Sequence, residues 1–151
     1  MSHMKTLIPE FDISLRWKGD KSELKRVTSP AEAAEVCRMC FDDGKIDWIE
    51  EFIVIALNKA NMVIGFYKVS SGGITGTVAD PRVIFQFALL SAASGIIISH
   101  NHPSGNLRPS QADIDITRKI RDAGKMLDIE LFDHIIVTDQ SFLSLAEEGI
   151  I

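Results

Sequence analysis

The apolar positions along this chain change period several times, and each change marks an element. Lys5 to Trp17 alternates loosely, with Leu7, Phe11, Ile13, Leu15 and Trp17 apolar, and predicts an edge strand shortened by Pro9. Thr28-Ser29-Pro30 predicts a helix start, with Ser29 as N-cap and Pro30 at the first helical position, running to about Asp43-Gly44. Glu50 to Asn58 is a β-branched apolar run of strand length. Asn58-Lys59-Ala60-Asn61 turns the chain, and Met62 to Val69 returns as the second strand of a hairpin. Gly72-Gly73 and Gly76 mark a flexible connection. Asp80-Pro81 repeats the cap-plus-proline signal and opens a helix through about Ala93, with Gly95 placed for its C-cap. Ile96-Ile97-Ile98-Ser99 reads as a short strand covered on both faces. A polar loop follows, then a helix over about Ser110 to Leu127, a strand around Glu130 to Val137 and a short final helix near Ser141 to Glu147. Strands interleaved with helices predict a single α/β domain, an α/β/α sandwich around a mixed sheet, over 28–151. Residues 1–27 read as an N-terminal extension, in which Met1-Ser2-His3 has the look of a tag remnant; His3 is therefore discounted as a ligand.

Composition narrows the classes. A length of 151 residues suits one domain with one real core, and 46% hydrophobic with 25% charged residues is ordinary for a globular protein. A net charge of −5 argues against a broad nucleic-acid footprint. Cys37 and Cys40 form a C-x-x-C pair, but neither a thioredoxin-like context nor a second ligand pair accompanies it. Val36, Cys37, Cys40 and Phe41 are spaced for one apolar helix face, so the thiols read as core, and unpaired thiols suit a reducing compartment. Pro9, Glu10 and Asp12 interrupt any secretory signal. The uncharged run Val83 to Ile98, sixteen residues, is shorter than the ~20 needed to span a bilayer. The expected location is the cytoplasm.

The chemistry concentrates in His100-Asn101-His102-Pro103, followed by Ser110 and Asp113. Histidines at i and i+2 of an extended segment point the same way. Asp113, from the first turn of the next helix, would close a three-ligand metal site, leaving one tetrahedral position open for water, as in catalytic zinc sites. The competing explanation for Ser110-x-x-Asp113 is a capping box, with Pro109 just before the helix; a capped first turn would also orient Asp113 towards the histidines. Hydrolysis needs a proton acceptor for the activated water. Glu50 and Glu51 both open an apolar strand, and alternation allows only one to face the site. The zinc deaminase pattern is disfavoured, because His102 stands where its glutamate would be and the Cys pair precedes the histidines.

A glutamate, then far downstream His-x-His-Pro, six residues, Ser, two residues and Asp, resembles the JAMM motif of JAB/MPN metalloproteases. Within that superfamily the chain is similar to the bacterial RadC-type proteins. His100-Asn101-His102-Pro103-Ser104-Gly105 with Pro109-Ser110, Asp133-His134-Ile135-Ile136-Val137 and Pro81-Arg82 carry the likeness, which runs from about Pro30 to the C-terminus. The resemblance implies a JAB/MPN (cytidine-deaminase-like) fold and one zinc ion per chain held by His100, His102 and Asp113. It implies Ser110 as oxyanion stabiliser and, through the family's Glu-x-Phe pattern, Glu50 rather than Glu51 as general base. Two departures stand out. The chain has no room for the helix-hairpin-helix region that many RadC-type proteins carry, which weakens a DNA-binding role. Asp80 also stands where the family often has a histidine, so no further ligand comes from there. His134 reads as a buried hydrogen-bonding histidine.

The expected activity is zinc-dependent hydrolysis of peptide or isopeptide bonds, on a peptide or protein substrate the sequence does not identify. The alternatives are a non-catalytic binding module on the same scaffold, or a DNA-repair-associated factor. No membrane partner is expected, and the early strand could pair with a second copy's edge in a homodimer.

Overall fold

The structure is a computed structural model describing residues 8–19, 24–72 and 78–151. Its elements are α1 (Pro30–Cys40), β1 (Glu51–Leu57), β2 (Val63–Ser71), α2 (Pro81–Leu90), β3 (Gly95–Asn101), α3 (Gln111–Met126), β4 (Glu130–Val137) and β5 (Phe142–Ser144). The five strands form one sheet in the order β2-β1-β3-β4-β5. Only β3 and β4 run parallel; the other neighbours are antiparallel, which makes the sheet mixed.

Helices cover both faces. Ile53, Ile55 and Leu57 of β1 and Ile97 of β3 pack towards α1 through Ala33, Val36 and Cys37. Phe52, Val54, Ile96 and Ile98 pack on the opposite face against Ile84, Phe85 and Ala88 of α2 and Ile120 of α3. The domain is thus the expected α/β/α sandwich. Burial on both faces explains why β1 and β3 are apolar runs without an exposed alternate. It also fixes a parity: even-numbered positions of β1 and β3 face α2 and α3.

Local chemistry sets the helix starts. Ser29 Oγ accepts from the Glu32 amide at the head of α1, and the Asp80 side chain accepts from the Arg82 amide at the head of α2. Several expected boundaries shift. α1 stops at Cys40, capped by Phe41, and turns occupy Asp43–Gly44. α2 ends at Leu90 rather than Ala93, because Ala92, not Gly95, takes the left-handed position, with φ 54°. Gly95 instead opens β3, where a Cβ would sit 3.3 Å from the Glu130 carbonyl oxygen.

The final helix expected near Ser141 to Glu147 is a correction: the segment forms β5 and turns. Buried Asp133 captures it, accepting hydrogen bonds from Ser144 Oγ (2.6 Å) and the Ala146 amide (3.1 Å). The expected edge strand within Lys5 to Trp17 does not form over residues 8–17, and residues 5–7 lie outside the described residues. Trp17 Nε1 donates to the Ile64 carbonyl of β2, while Arg26 makes an isolated bridge to Met62. His3 and the glycine connection at 73–77 also lie outside the described residues. Among the described residues no helix is long and apolar enough to cross a membrane.

Candidate metal centre

The carboxyl end of β3 delivers His100 and, one residue past the strand, His102. The His102 amide continues the parallel ladder by donating to the Val137 carbonyl (2.9 Å). Pleating sends both imidazoles towards the α2/α3 face and Asn101 to the other. The buried Asn101 side chain accepts from the Glu51 amide (2.8 Å) and donates to the carbonyls of Ile46 (2.9 Å) and Ile49 (2.8 Å). It therefore ties the loop that carries Glu50 to the strand that carries the histidines. Sequence reasoning assigned Asn101 no role; three bonds from one buried amide make it the residue that sets this join.

Asp113 arrives from the first turn of α3. Ser110 and Asp113 form a reciprocal capping box: Ser110 Oγ accepts from the Asp113 amide (3.0 Å), and Asp113 Oδ2 accepts from the Ser110 amide (2.8 Å). The same carboxylate faces the histidines, with Oδ1 3.3 Å from His100 Nε2 and Oδ2 3.4 Å from His102 Nε2. The cap and the site-facing role coexist in one side chain.

The two Nε2 atoms lie 2.9 Å apart, and each meets a different oxygen of Asp113, so one carboxylate faces both imidazoles. Zinc bonds of 2.0–2.1 Å in a tetrahedron require ligand atoms about 3.3 Å apart. Contacts of 2.9, 3.3 and 3.4 Å are of that size, and three protein ligands would leave a fourth tetrahedral position for water. His102 Nδ1 lies 2.6 Å from the Asn106 carbonyl, which can only accept, so Nδ1 carries a proton and Nε2 faces the site, free to hold a proton against Asp113 or to give its lone pair to a metal. Two imidazole nitrogens and one carboxylate oxygen are a donor set suited to zinc. Among the described residues, this is the His/Cys/Asp/Glu group that could hold a metal ion.

Electrostatics follow from the crowding. Burial pushes the Asp113 carboxyl up, but the two histidines facing it outweigh that and leave it well below the usual carboxylate range. The hydrogen bond with Asp113 raises His102 against the opposing effect of burial. Glu50 is partly buried just before β1; desolvation raises its pKa, the His100 and His102 charges oppose that, and Asp113 adds to it. Glu51 points elsewhere: it is buried and ion-paired with Lys68 of β2. Glu50 therefore lies in the field of His100, His102 and Asp113, while Glu51 is taken by Lys68. Ser110 is exposed at the rim, its oxygen engaged by the Asp113 amide and its own proton uncommitted to that bond.

Other candidates fall outside the site. Cys37 is buried in the α1 core, and the Cys40 thiol contacts the Val36 carbonyl (3.3 Å). Both are free, and burial pushes Cys40 up to about 12, so neither is a ready ligand. Asp80 caps α2 and pairs with Arg82. A cavity of about 490 Å³ lies at the opposite end of the sheet, beside Gly124, Ile129 and Leu131, and none of the site residues lines it. His134 is fully buried and contacts His100 Nδ1 and Thr117 Oγ1, so the site has an inner layer; Thr117 carried no signal in the sequence.

A family model described as RadC-like JAB domain matches residues 27–150. A UPF0758 protein of Flavobacterium johnsoniae is 44% identical over 131 residues, covering 87% of this chain and 56% of the relative. One of Salinibacter ruber is also 44% identical, covering 87% of this chain and 55% of the relative. One of Geotalea uraniireducens is 38% identical over 126 residues, covering 83% and 54%. The chain thus spans little more than half the length of these relatives.

Proposed function

Because this chain belongs to the RadC-like JAB domain family, we propose that it is a zinc-dependent hydrolase of peptide or isopeptide bonds, with one zinc per chain on His100, His102 and Asp113. The observation that carries this reading is the convergence of the two Nε2 atoms, 2.9 Å apart, on the Asp113 carboxylate at 3.3 and 3.4 Å; three such ligands would leave one tetrahedral position for water. Zinc at such a site supplies Lewis acidity, polarising a carbonyl and acidifying water towards a pKa of ~7.

The protein's own groups then divide the work. Glu50, partly buried just before β1, takes the proton of the attacking water and passes it to the leaving amine. Ser110 donates its free hydroxyl proton to the oxyanion that develops on the substrate carbonyl. The Ser110–Asp113 capping box holds donor and ligand on the same helical turn. The two free thiols support a cytoplasmic location.

The test is metal content of the purified protein, in wild type and in a His100→Ala/His102→Ala double variant. About one zinc per wild-type chain, lost in a folded double variant, is the expected result. No zinc after incubation with the metal would sink the hydrolase. Zinc bound without hydrolysis of a broad peptide panel would leave a binding module, and salt-sensitive DNA binding would revive the DNA-associated alternative.

A further inference from the structure

Behind His100, away from the open position, three polar contacts form a chain. His134 Nε2 lies 2.8 Å from His100 Nδ1, and His134 Nδ1 lies 2.6 Å from Thr117 Oγ1. Thr117 Oγ1 in turn lies 2.5 Å from the Asp113 carbonyl oxygen, one helical turn back. These contacts have one consistent polarity. A carbonyl oxygen only accepts, so the single Thr117 proton goes to Asp113. Thr117 Oγ1 must then accept, which puts the His134 proton on Nδ1. His134 is fully buried, its ring nitrogens facing His100 and Thr117, and desolvation disfavours a second proton on a buried imidazole. His134 Nε2 is bare and accepts from His100 Nδ1–H. His100 Nε2 is left with its lone pair, directed at Asp113 and His102.

We infer that Thr117 and His134 are positioning residues that lock His100 in its metal-ligating tautomer and couple that lock to the backbone of the third ligand, Asp113. The circuit closes on one residue: the Asp113 carbonyl receives the Thr117 proton, and the Asp113 carboxylate stands 3.3 Å from the His100 Nε2 so released. His102 uses a simpler lock, the Asn106 carbonyl. Backbone and carboxylate partners are the usual orienters of ligating histidines; here a second histidine does the task for His100, and it needs Thr117 to define its own tautomer. The bland alternative is that Thr117 merely bonds its i−4 carbonyl, as mid-helix threonines do, and fills the core. That alternative predicts altered stability with no change in ring tautomers.

This inference rests on the metal reading above, and the test separates the two. Thr117→Val keeps the shape of the side chain and removes the hydroxyl, whereas Thr117→Ser keeps the hydroxyl. Zinc affinity of the full chain, measured by chelator competition, should fall about 10–100-fold in Thr117→Val and stay near wild type in Thr117→Ser. Imidazole ¹⁵N spectra of the metal-free wild type should show His134 and His100 protonated on Nδ1, and Thr117→Val should mix the His134 tautomers. Equal zinc affinity in the two variants overturns the inference, as does His134 protonated on Nε2 in the wild type. Should Thr117→Val fail to fold, the wild-type spectrum and the Thr117→Ser affinity still decide. Failure of the wild type to bind zinc overturns the metal reading, while the spectrum still shows whether the relay exists.

Discussion

Phe52 lies flat on His100, the ring centroids 5.7 Å apart and the planes 4° from parallel, and the two residues are paired across β1 and β3. A buried apolar ring thus backs the more deeply buried of the two imidazoles that face Asp113. Phe52→Leu should lower stability by about 1–3 kcal/mol and also weaken zinc binding, because the His100 ring gains freedom to rotate. Urea unfolding and chelator competition on the same variant check this. Reduced stability with unchanged zinc affinity would make Phe52 core alone.

Glu50 and Glu51 should separate cleanly by substitution. Glu50→Gln should cut turnover about 100- to 10,000-fold with zinc content unchanged, whereas Glu51→Gln breaks the ion pair with Lys68 and should act on stability instead. Titration gives an independent reading. In the metal-free protein the Glu50 pKa is raised, by desolvation first. Carboxyl ¹³C shifts of the metal-free protein should therefore show Glu50 losing its proton above the ordinary 4.5. A midpoint at or below 4.5 would mean that Glu50 is solvated rather than turned into the site.

Asn101 should be a stability residue with a functional consequence. Asn101→Ala strands the Ile46 and Ile49 carbonyls and the Glu51 amide at once. At about 1–3 kcal/mol for each buried group left without a partner, the loss should reach about 3 kcal/mol or more by denaturant unfolding. A loss under about 1 kcal/mol would mean that the loop is held by other contacts.

Gly124 near the end of α3 tests sterics against propensity. Alanine in a helix interior gains up to about 1 kcal/mol over glycine, but a Cβ at 124 would collide with the Ile129 backbone carbonyl. The chain folds back there, the Ile129 amide donating to the Gly124 carbonyl at 2.8 Å, so the carbonyl cannot easily withdraw. Gly124→Ala should therefore lower the melting temperature; an increase would show that the turn relaxes freely.

Much of the fold was legible along the chain because its determinants are local. Ser29-Pro30, Asp80-Pro81 and the Ser110–Asp113 box are start signals whose partners lie within three residues, and each opens a helix where expected. The buried strands β1 and β3 announce themselves as apolar runs of strand length. His100, His102 and Asp113 were singled out in the same way, from pleat alternation and a helix turn that spacing alone can specify. Local pattern failed where a distant group decides. Phe142–Ser144 is a strand because Asp133, eleven residues from Ser144, draws it against β4.

Only the tertiary structure separates the surroundings of the neighbouring glutamates, since Glu51 is buried against Lys68 on β2 while Glu50 lies partly buried in the field of His100, His102 and Asp113. Only it joined His134 and Thr117 to His100, across separations of 34 and 17 residues. The physical reason is the same in each case. Periodicity and capping are encoded within a turn or a pleat, whereas the partner of a buried polar group is set by which strands become neighbours in the sheet.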